Sequence, residues 1–288
     1  MGGRIINLEN ISGLELDGLK RDNVLVIVPV GILEYHAHHL PYGTDYYINS
    51  YVTKMVAQNL LTKNKLLDIL LYPDIPLGVF GIENLSISKF PTAGSFVIEP
   101  STMKNILIEL IEKFIQFKFK NFIIISFHGA PEHCRTLNEA CDQFENNYVV
   151  NVLPLLNYLW FPLFFGGKLI NKIELKTGRR FSKIERNALL HFVHAEIVET
   201  SVMLYLYPDL VDPKYKSLEP VIFGYEEMFE KIKELDQWQG YVGDPAPASK
   251  DIGKGVLDTV IEECSSIILK YLKDKKYIKK LKRYPEGL

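Results

Sequence analysis

An α/β fold, a mostly parallel sheet flanked by helices, is predicted by two features of this 288-residue chain. Short, β-branched apolar runs alternate with amphipathic helical stretches, the pattern of strand–helix–strand units. Hydrophobic residues make up 47% of the chain and charged residues 24%, proportions that supply an ordinary packed core.

Asn23–Val30 (NVLVIVPV) is short, β-branched and followed by Gly31, which predicts a buried strand. A helix is expected over Asp45–Leu61, with Thr44 or Asp45 as its N-cap. Leu67–Ile75 reads as a second strand, closed by Pro76 and Gly78. Gly78–Ser95 is a long irregular stretch rich in Gly and Ser, and loops of that length are often functional. Pro100–Lys118 is an amphipathic helix built on Ile106, Leu107, Leu110, Ile111 and Phe114, with Ser101 expected as its cap. Asn121–Ser126 is a third buried strand, followed by a helix at about His133–Phe144 and a strand at Tyr148–Leu153. Leu155–Asn187 is less regular, with Trp160, Gly166-Gly167 and a basic turn, Lys176–Arg180. We expect an insertion or lid there, at about residues 155–190, within a single domain spanning 1–288. Ala195–Tyr207 is a helix ended by Pro208, and Lys250–Lys273 is a closing amphipathic helix.

Charge and cysteine usage exclude several classes. A formal net charge of −2 gives no electrostatic case for nucleic acid or an anionic membrane. Lys273, Lys275, Lys276, Lys279, Lys280 and Lys282 read as a solvated helix end and tail. The three cysteines, Cys134, Cys141 and Cys264, fit reduced thiols, and MGGRIINLEN has no apolar signal-peptide core, so a cytoplasmic protein is expected. Neither GxGxxG nor a P-loop is present, which argues against nucleotide binding.

All seven histidines fall in three clusters: His36, His38, His39; His128, His133; and His191, His194. Each lies beside a predicted strand end or helix start, where open α/β sheets bind ligands. In the first, Gly31-Ile-Leu-Glu34-Tyr-His36-Ala-His38-His39-Leu-Pro41-Tyr-Gly43-Thr44-Asp45, an extended backbone puts Glu34 and His36 on one side. Asp45 at the helix start can bridge two cations, and this donor set suits zinc, manganese or related ions. The plainer reading makes Asp45 an N-cap and Glu34 a surface carboxylate. In the second, Ser126-Phe127-His128-Gly129-Ala130, His128 either reaches the same cleft or ends its strand by hydrogen bonding, while Glu132 and His133 read as surface and cap residues. In the third, His194-Ala-Glu196-Ile-Val-Glu199-Thr200-Ser201, Glu196 and Glu199 share a helix face, and either could enter the site with Thr200 or Ser201 supporting it.

At these three clusters the chain resembles the creatininase (creatinine amidohydrolase) family. The first matches a motif like GSxEQHGPHLPxGTD. The second is an altered form of NGHGGN or NGHYEN, and the third is similar to HAGExETS. Leu204–Asp212 and Gly240-Tyr-Val-Gly243-Asp244-Pro245 with Ser249–Gly255 are also family-like, so the resemblance spans about residues 20–275. It implies a three-layer α/β/α fold and a site for two divalent metal ions, zinc and/or manganese, with iron as a further option. It places Glu34 and His128 on one ion, His36 on the other, Asp45 between them, and His194 as the proton carrier. The family's glutamate two residues after the second-motif histidine is replaced by Ala130, so the ligand role passes to Glu199, with Glu196 or Glu132 as alternatives.

The implied activity is hydrolysis of a C–N bond in a cyclic amide, formamide or small peptide-like substrate by a metal-activated water. Leu190-His191 in place of Trp-Asp, and Phe90-Pro91-Thr92-Ala93 in place of FPGT, count against creatinine itself. Tyr35, Thr200 and Ser201 are expected to hold ligands in place; the Gly78–Ser95 loop is a candidate to close over substrate, and Trp160 either joins it or, on the plainer reading, only packs. A homo-oligomer, a ring or hexamer, is expected on the same ground. The competing readings are a non-catalytic binding or scaffold protein retaining the fold, and a one-metal hydrolase.

Overall fold

Five short strands form one sheet in the order β1-β3-β2-β4-β5: β1 (Ile5–Asn7), β2 (Val24–Pro29), β3 (Asp68–Leu71), β4 (Asn121–Ile125) and β5 (Asn151–Pro154). Every pairing between them is parallel. The computed structural model describes residues 2–81, 94–164, 167–223, 231–232, 234 and 238–286. Successive residues of β2 face opposite ways, yet all six are buried. Leu25 and Ile27 join one apolar cluster with Ile69, Leu71, Ile123 and Ile125, and Val24, Val26 and Val28 join another with Leu70, Phe122 and Ile124. Burial on both faces is why the strands read as continuous apolar runs.

The α-helices described from end to end are α1 (Gly13–Asp17), α2 (Thr44–Lys63), α3 (Pro100–Gln116), α4 (Pro131–Asn147), α5 (Lys168–Thr177), α6 (Lys183–Leu190), α7 (Ile197–Leu206) and α8 (Lys250–Lys273). Met103, Leu107, Ile111 and Phe114 of α3, with Leu137 and Phe144 of α4, cover one face of the sheet. Residues of α2, α5, α7 and α8 cover the other, completing the three layers. α8 approaches α7 so closely that a Cβ on Gly253 would lie 2.0 Å from the Ser201 carbonyl oxygen. That contact fixes the helix that carries Glu199.

Several local expectations are corrected. α2 begins at Thr44 behind an N-cap at Gly43, so neither Thr44 nor Asp45 caps it. The Thr44 hydroxyl donates instead to the Pro41 carbonyl at 2.7 Å, and the Asp45 carboxylate is left for other work. α3 starts at Pro100 behind Glu99, which puts Ser101 inside the helix rather than at its cap. The stretch at 155–190 is mostly helical: a 3-10 turn at Leu155–Tyr158, a π turn at Trp160–Phe164, then α5 and α6. Left-handed Gly167 and Gly178 bracket α5, and a Ser182–Glu185 capping box opens α6. Phe90–Ala93 and most of the Gly78–Ser95 stretch lie outside the described residues. All three cysteines are buried and outside any disulfide, and among the described residues no helix is long and apolar enough to cross a membrane.

Candidate metal centre

From β2 the chain goes to β3 on one side and then crosses to β4 on the other. A parallel sheet opens a crevice outside its carboxyl ends where connections diverge in this way. Glu34 and His36 follow β2 into that crevice, His128 follows β4, Asp45 sits in the first turn of α2, and His194 and Glu199 arrive at the start of α7.

Three of the loops that feed the crevice contain a non-glycine residue in the left-handed region: Ala37 (φ 57°), Phe80 (φ 64°) and Ala195 (φ 50°). Each costs roughly 1–3 kcal/mol and persists only where the surroundings enforce it. Ala37 lies between buried His36 and exposed His38. The turn at Phe80 aims the Val79 and Phe80 carbonyls at one atom, Nε2 of His128, at 3.2 and 2.7 Å. Ala195 directs its N–H at the Glu199 carboxylate.

Each histidine of the cluster donates one ring N–H to the main chain. Nδ1 of His36 bonds the Glu34 carbonyl (3.0 Å), Nε2 of His128 bonds those of Val79 and Phe80, and Nε2 of His194 bonds that of Tyr35 (2.8 Å). The opposite nitrogens therefore face carboxylates. Nδ1 of His128 lies 3.0 Å from Glu34 and 3.2 Å from Asp45, Nε2 of His36 lies 3.5 Å from Asp45 and 3.6 Å from Glu199, and Nδ1 of His194 lies 3.9 Å from Glu34. A nitrogen lone pair facing a carboxylate oxygen calls for a positive charge between them, either a proton or a metal ion. Anchoring the second ring nitrogen on a carbonyl is the usual way a ligand histidine is held.

A metal fits this site on two grounds. Nε2 of His36 and Oδ2 of Asp45 are buried and make no hydrogen bond. Donor atoms also gather in three sets able to hold an ion: Glu34, Asp45 and His128; His36, Asp45 and Glu199; and Glu34, His36 and His194. Imidazole nitrogen with carboxylate oxygen suits zinc, manganese or iron.

Without metal, burial works against charge on every one of these groups. The Asp45 and Glu199 carboxylates overcome it for His36 and push it up to about 10. Glu34 and Asp45 do the same for His128 and raise it well above the usual histidine value. Asp45 and Glu34 are held below the ordinary carboxylate range, because the neighbouring histidines outweigh burial. Burial pushes Glu199 up to about 7 against the pull of His36, with Asp45 and Glu34 adding to the rise. Burial also lowers His194, leaving it neutral at pH 7, with His36 adding to that and Glu34 opposing it.

His36 and His128 are thus protonated at neutral pH in the metal-free protein, and an incoming cation must displace both protons. Metal loading is expected to release protons, and apparent affinity to rise with pH by up to about tenfold per displaced proton per unit. The rise should level off as pH passes the His36 value of about 10. Titration of zinc into metal-free protein with an indicator dye checks this. A flat affinity from pH 6 to 9, with no acid released, would refute it.

Of the three glutamates considered for the ligand replacing the family residue at Ala130, Glu199 faces His36. Glu196 is the N-cap of α7, its carboxylate accepting from the Val198 and Glu199 N–H groups. Glu132 is exposed on α4 and belongs to none of the three sets. Thr200 and Ser201 do not brace a glutamate, as expected, but bond His39 (3.1 Å) and the Ser249 N–H (3.0 Å). Burial and the charge of His36 push His39 down to about 4, so it is a neutral support.

His133 has more than a capping role. Its Nδ1 accepts from the Val79 N–H (3.2 Å) and its Nε2 donates to Ser126 Oγ (2.9 Å), so it secures the loop whose carbonyls orient His128. The available signal is its place in the first turn of the helix after His128. The Val79 and Phe80 carbonyls leave no mark in sequence. His38 and His191 are exposed and stand outside the three donor sets.

A family model described as "Creatininase: Creatinine amidohydrolase" matches residues 9–268. Among solved structures, one titled "Creatininase Mn" superposes with a TM-score of 0.67 at 20% identity, over 93% of this chain and 99% of that one. A point mutant of creatininase, of the "Zn-Zn type", gives 0.65 at 18% identity, over 94% and 99% of the two chains. A putative creatinine amidohydrolase from Bacteroides fragilis gives 0.62 at 18%, over 93% and 96%. No curated protein matches the chain in sequence.

Proposed function

The chain belongs to the creatininase family, and on that premise we propose that it is a metal-dependent amidohydrolase, using water to open a C–N bond in a cyclic amide, formamide or small peptide-like substrate. One observation carries this reading: two sets of donors, Glu34–Asp45–His128 and His36–Asp45–Glu199, share the Asp45 carboxylate. That sharing supports a pair of divalent ions, zinc and/or manganese, which these donors would hold with Asp45 in common. When bound, such ions polarise a carbonyl and lower the pKa of water towards neutrality.

The chain's own groups supply the rest. Nε2 of His194 is fixed on the Tyr35 carbonyl, so its neutral ring presents Nδ1 to the crevice. Nδ1 takes a proton from the attacking water and delivers it to the departing nitrogen. The Glu199 side chain, 20% exposed where those of Glu34 and Asp45 are 2–3% exposed, is the carboxylate most open to substrate. With Asp45 it borders an apolar cavity of about 60 Å³ whose wall includes Phe127, Trp160, Phe164 and Phe192. Leu190 and His191 are both exposed, and the His191 ring donates to Asn187, which supports a substrate other than creatinine. Burial of every donor except the partly open Glu199 favours an enzyme over a scaffold with a relic site.

Elemental analysis combined with a screen of cyclic amides, formamides and small peptides tests the proposal. We expect two divalent ions per chain and a hydrolytic activity lost with chelator and restored by zinc or manganese. Folded protein that takes up neither ion would overturn it.

A further inference from the structure

The match to the family model ends at residue 268, yet the chain beyond it returns to the site. After a 3-10 turn at Lys275–Lys280, Arg283 clamps Asp142 of α4 through two bonds, at 2.6 and 2.9 Å. Tyr284 follows and is 2% exposed. Its N–H donates to the Asn157 carbonyl (2.8 Å), and its own carbonyl accepts from Asn138 Nδ2 (2.9 Å). Asn157 in turn donates to Asn138 Oδ1 and to the Cys134 carbonyl, both at 2.8 Å, which ties the segment to α4.

The side chain of Tyr284 meets two parts of the site wall. Its hydroxyl donates to the Gly129 carbonyl at 3.2 Å, and its ring centroid lies 5.3 Å from that of Trp160. Gly129 directly follows His128. Trp160 lies over Gly129 so closely that a Cβ there would be 2.5 Å from the indole. Trp160 also walls the cavity bordered by Asp45 and Glu199. One residue near the end of the chain thus touches both the turn that presents His128 and the aromatic wall beside Glu199.

We propose that the C-terminal segment is a strap, with Tyr284 as a positioning residue: its hydroxyl steadies the His128–Gly129 turn and its ring holds Trp160 in place. The consequence for substrate rests on the hydrolase reading above; the seating of Trp160 does not. Trp160 is one of two tryptophans, so in a Trp238→Phe background its emission reports on the wall directly.

Tyr284→Ala is expected to shift that emission to the red and expose it to acrylamide. The same change should weaken zinc binding about tenfold, the low end for residues that orient ligands, and raise KM for an accepted amide more than it lowers kcat. Tyr284→Phe keeps the ring: it should restore the emission and quenching of the parent and lose only part of the zinc affinity. Unchanged quenching and zinc affinity in Tyr284→Ala would overturn the proposal. Should that variant not fold, Tyr284→Phe decides, and unchanged zinc affinity in it would overturn the hydroxyl's role and with it the strap. A parent chain that binds no zinc and cleaves no amide would refute the hydrolase reading, and the quenching comparison would still decide the strap.

Discussion

Asp45→Ala is expected to strip the protein of bound metal and to bring amide hydrolysis to background. The Asp45 carboxylate lies 3.5 Å from His36 and 3.2 Å from His128 through its two oxygens, and it belongs to two of the three donor sets. Removing it takes the same negative charge from both. Residues that only orient a ligand cost about 10–100-fold in metal affinity when replaced, and a shared ligand should exceed that. The fold should survive, because Gly43 rather than Asp45 occupies the N-cap of α2. Elemental analysis beside far-UV circular dichroism reads both quantities. A folded variant with full metal content would show that the site is wrongly assigned.

Glu199→Gln and Glu196→Ala should separate two acids three residues apart. Glu199 lies 3.6 Å from His36 Nε2, so the glutamine is expected to cost one of two ions and at least about 100-fold in kcat/KM, as loss of a ligand from a two-metal site should. Glu196 serves the helix: its carboxylate accepts the first free N–H groups of α7. Its replacement should leave metal content intact and cost about 1 kcal/mol of stability, read from urea unfolding, in line with other lost caps. The reverse result, with metal lost from Glu196→Ala and kept by Glu199→Gln, would exchange the two roles.

The choice between these glutamates shows where sequence reading stops. Glu34, His36 and Asp45 could be assembled from sequence because a strand end, an extended segment and a helix start place them within twelve positions. Helix periodicity alone leaves Glu196 and Glu199 equivalent, and only the family resemblance favours Glu199; α7 starts at Ile197 and not at Ala195, which converts Glu196 from a face residue into a cap. The cause is the left-handed turn at Ala195, a conformation alanine does not advertise. β1 carries no readable sequence signal because Ile5–Asn7 is only three residues long and takes its definition from pairing with β3. The helices at 168–190 carried readable signals, Gly178 as a C-terminal stop and Ser182-x-x-Glu185 as a start, but both helices are short and the exposed Leu175 and Ile184 blur their apolar faces. Tyr284 had no local signal: its hydrogen-bond partners Asn157, Asn138 and Gly129 lie 127, 146 and 155 residues away in the chain.

The three left-handed turns also bear on how this protein can change. Ala37, Phe80 and Ala195 enforce the directions of main-chain groups around the crevice, and none of them belongs to a donor set. Valine or isoleucine would clash with its own backbone in that conformation, while glycine would adopt it freely and several others besides. Evolutionary drift at these positions is therefore confined on both sides, by sterics and by looseness. The cavity wall, where aromatic and aliphatic side chains can trade volume with one another, is the cheaper place to acquire a new specificity.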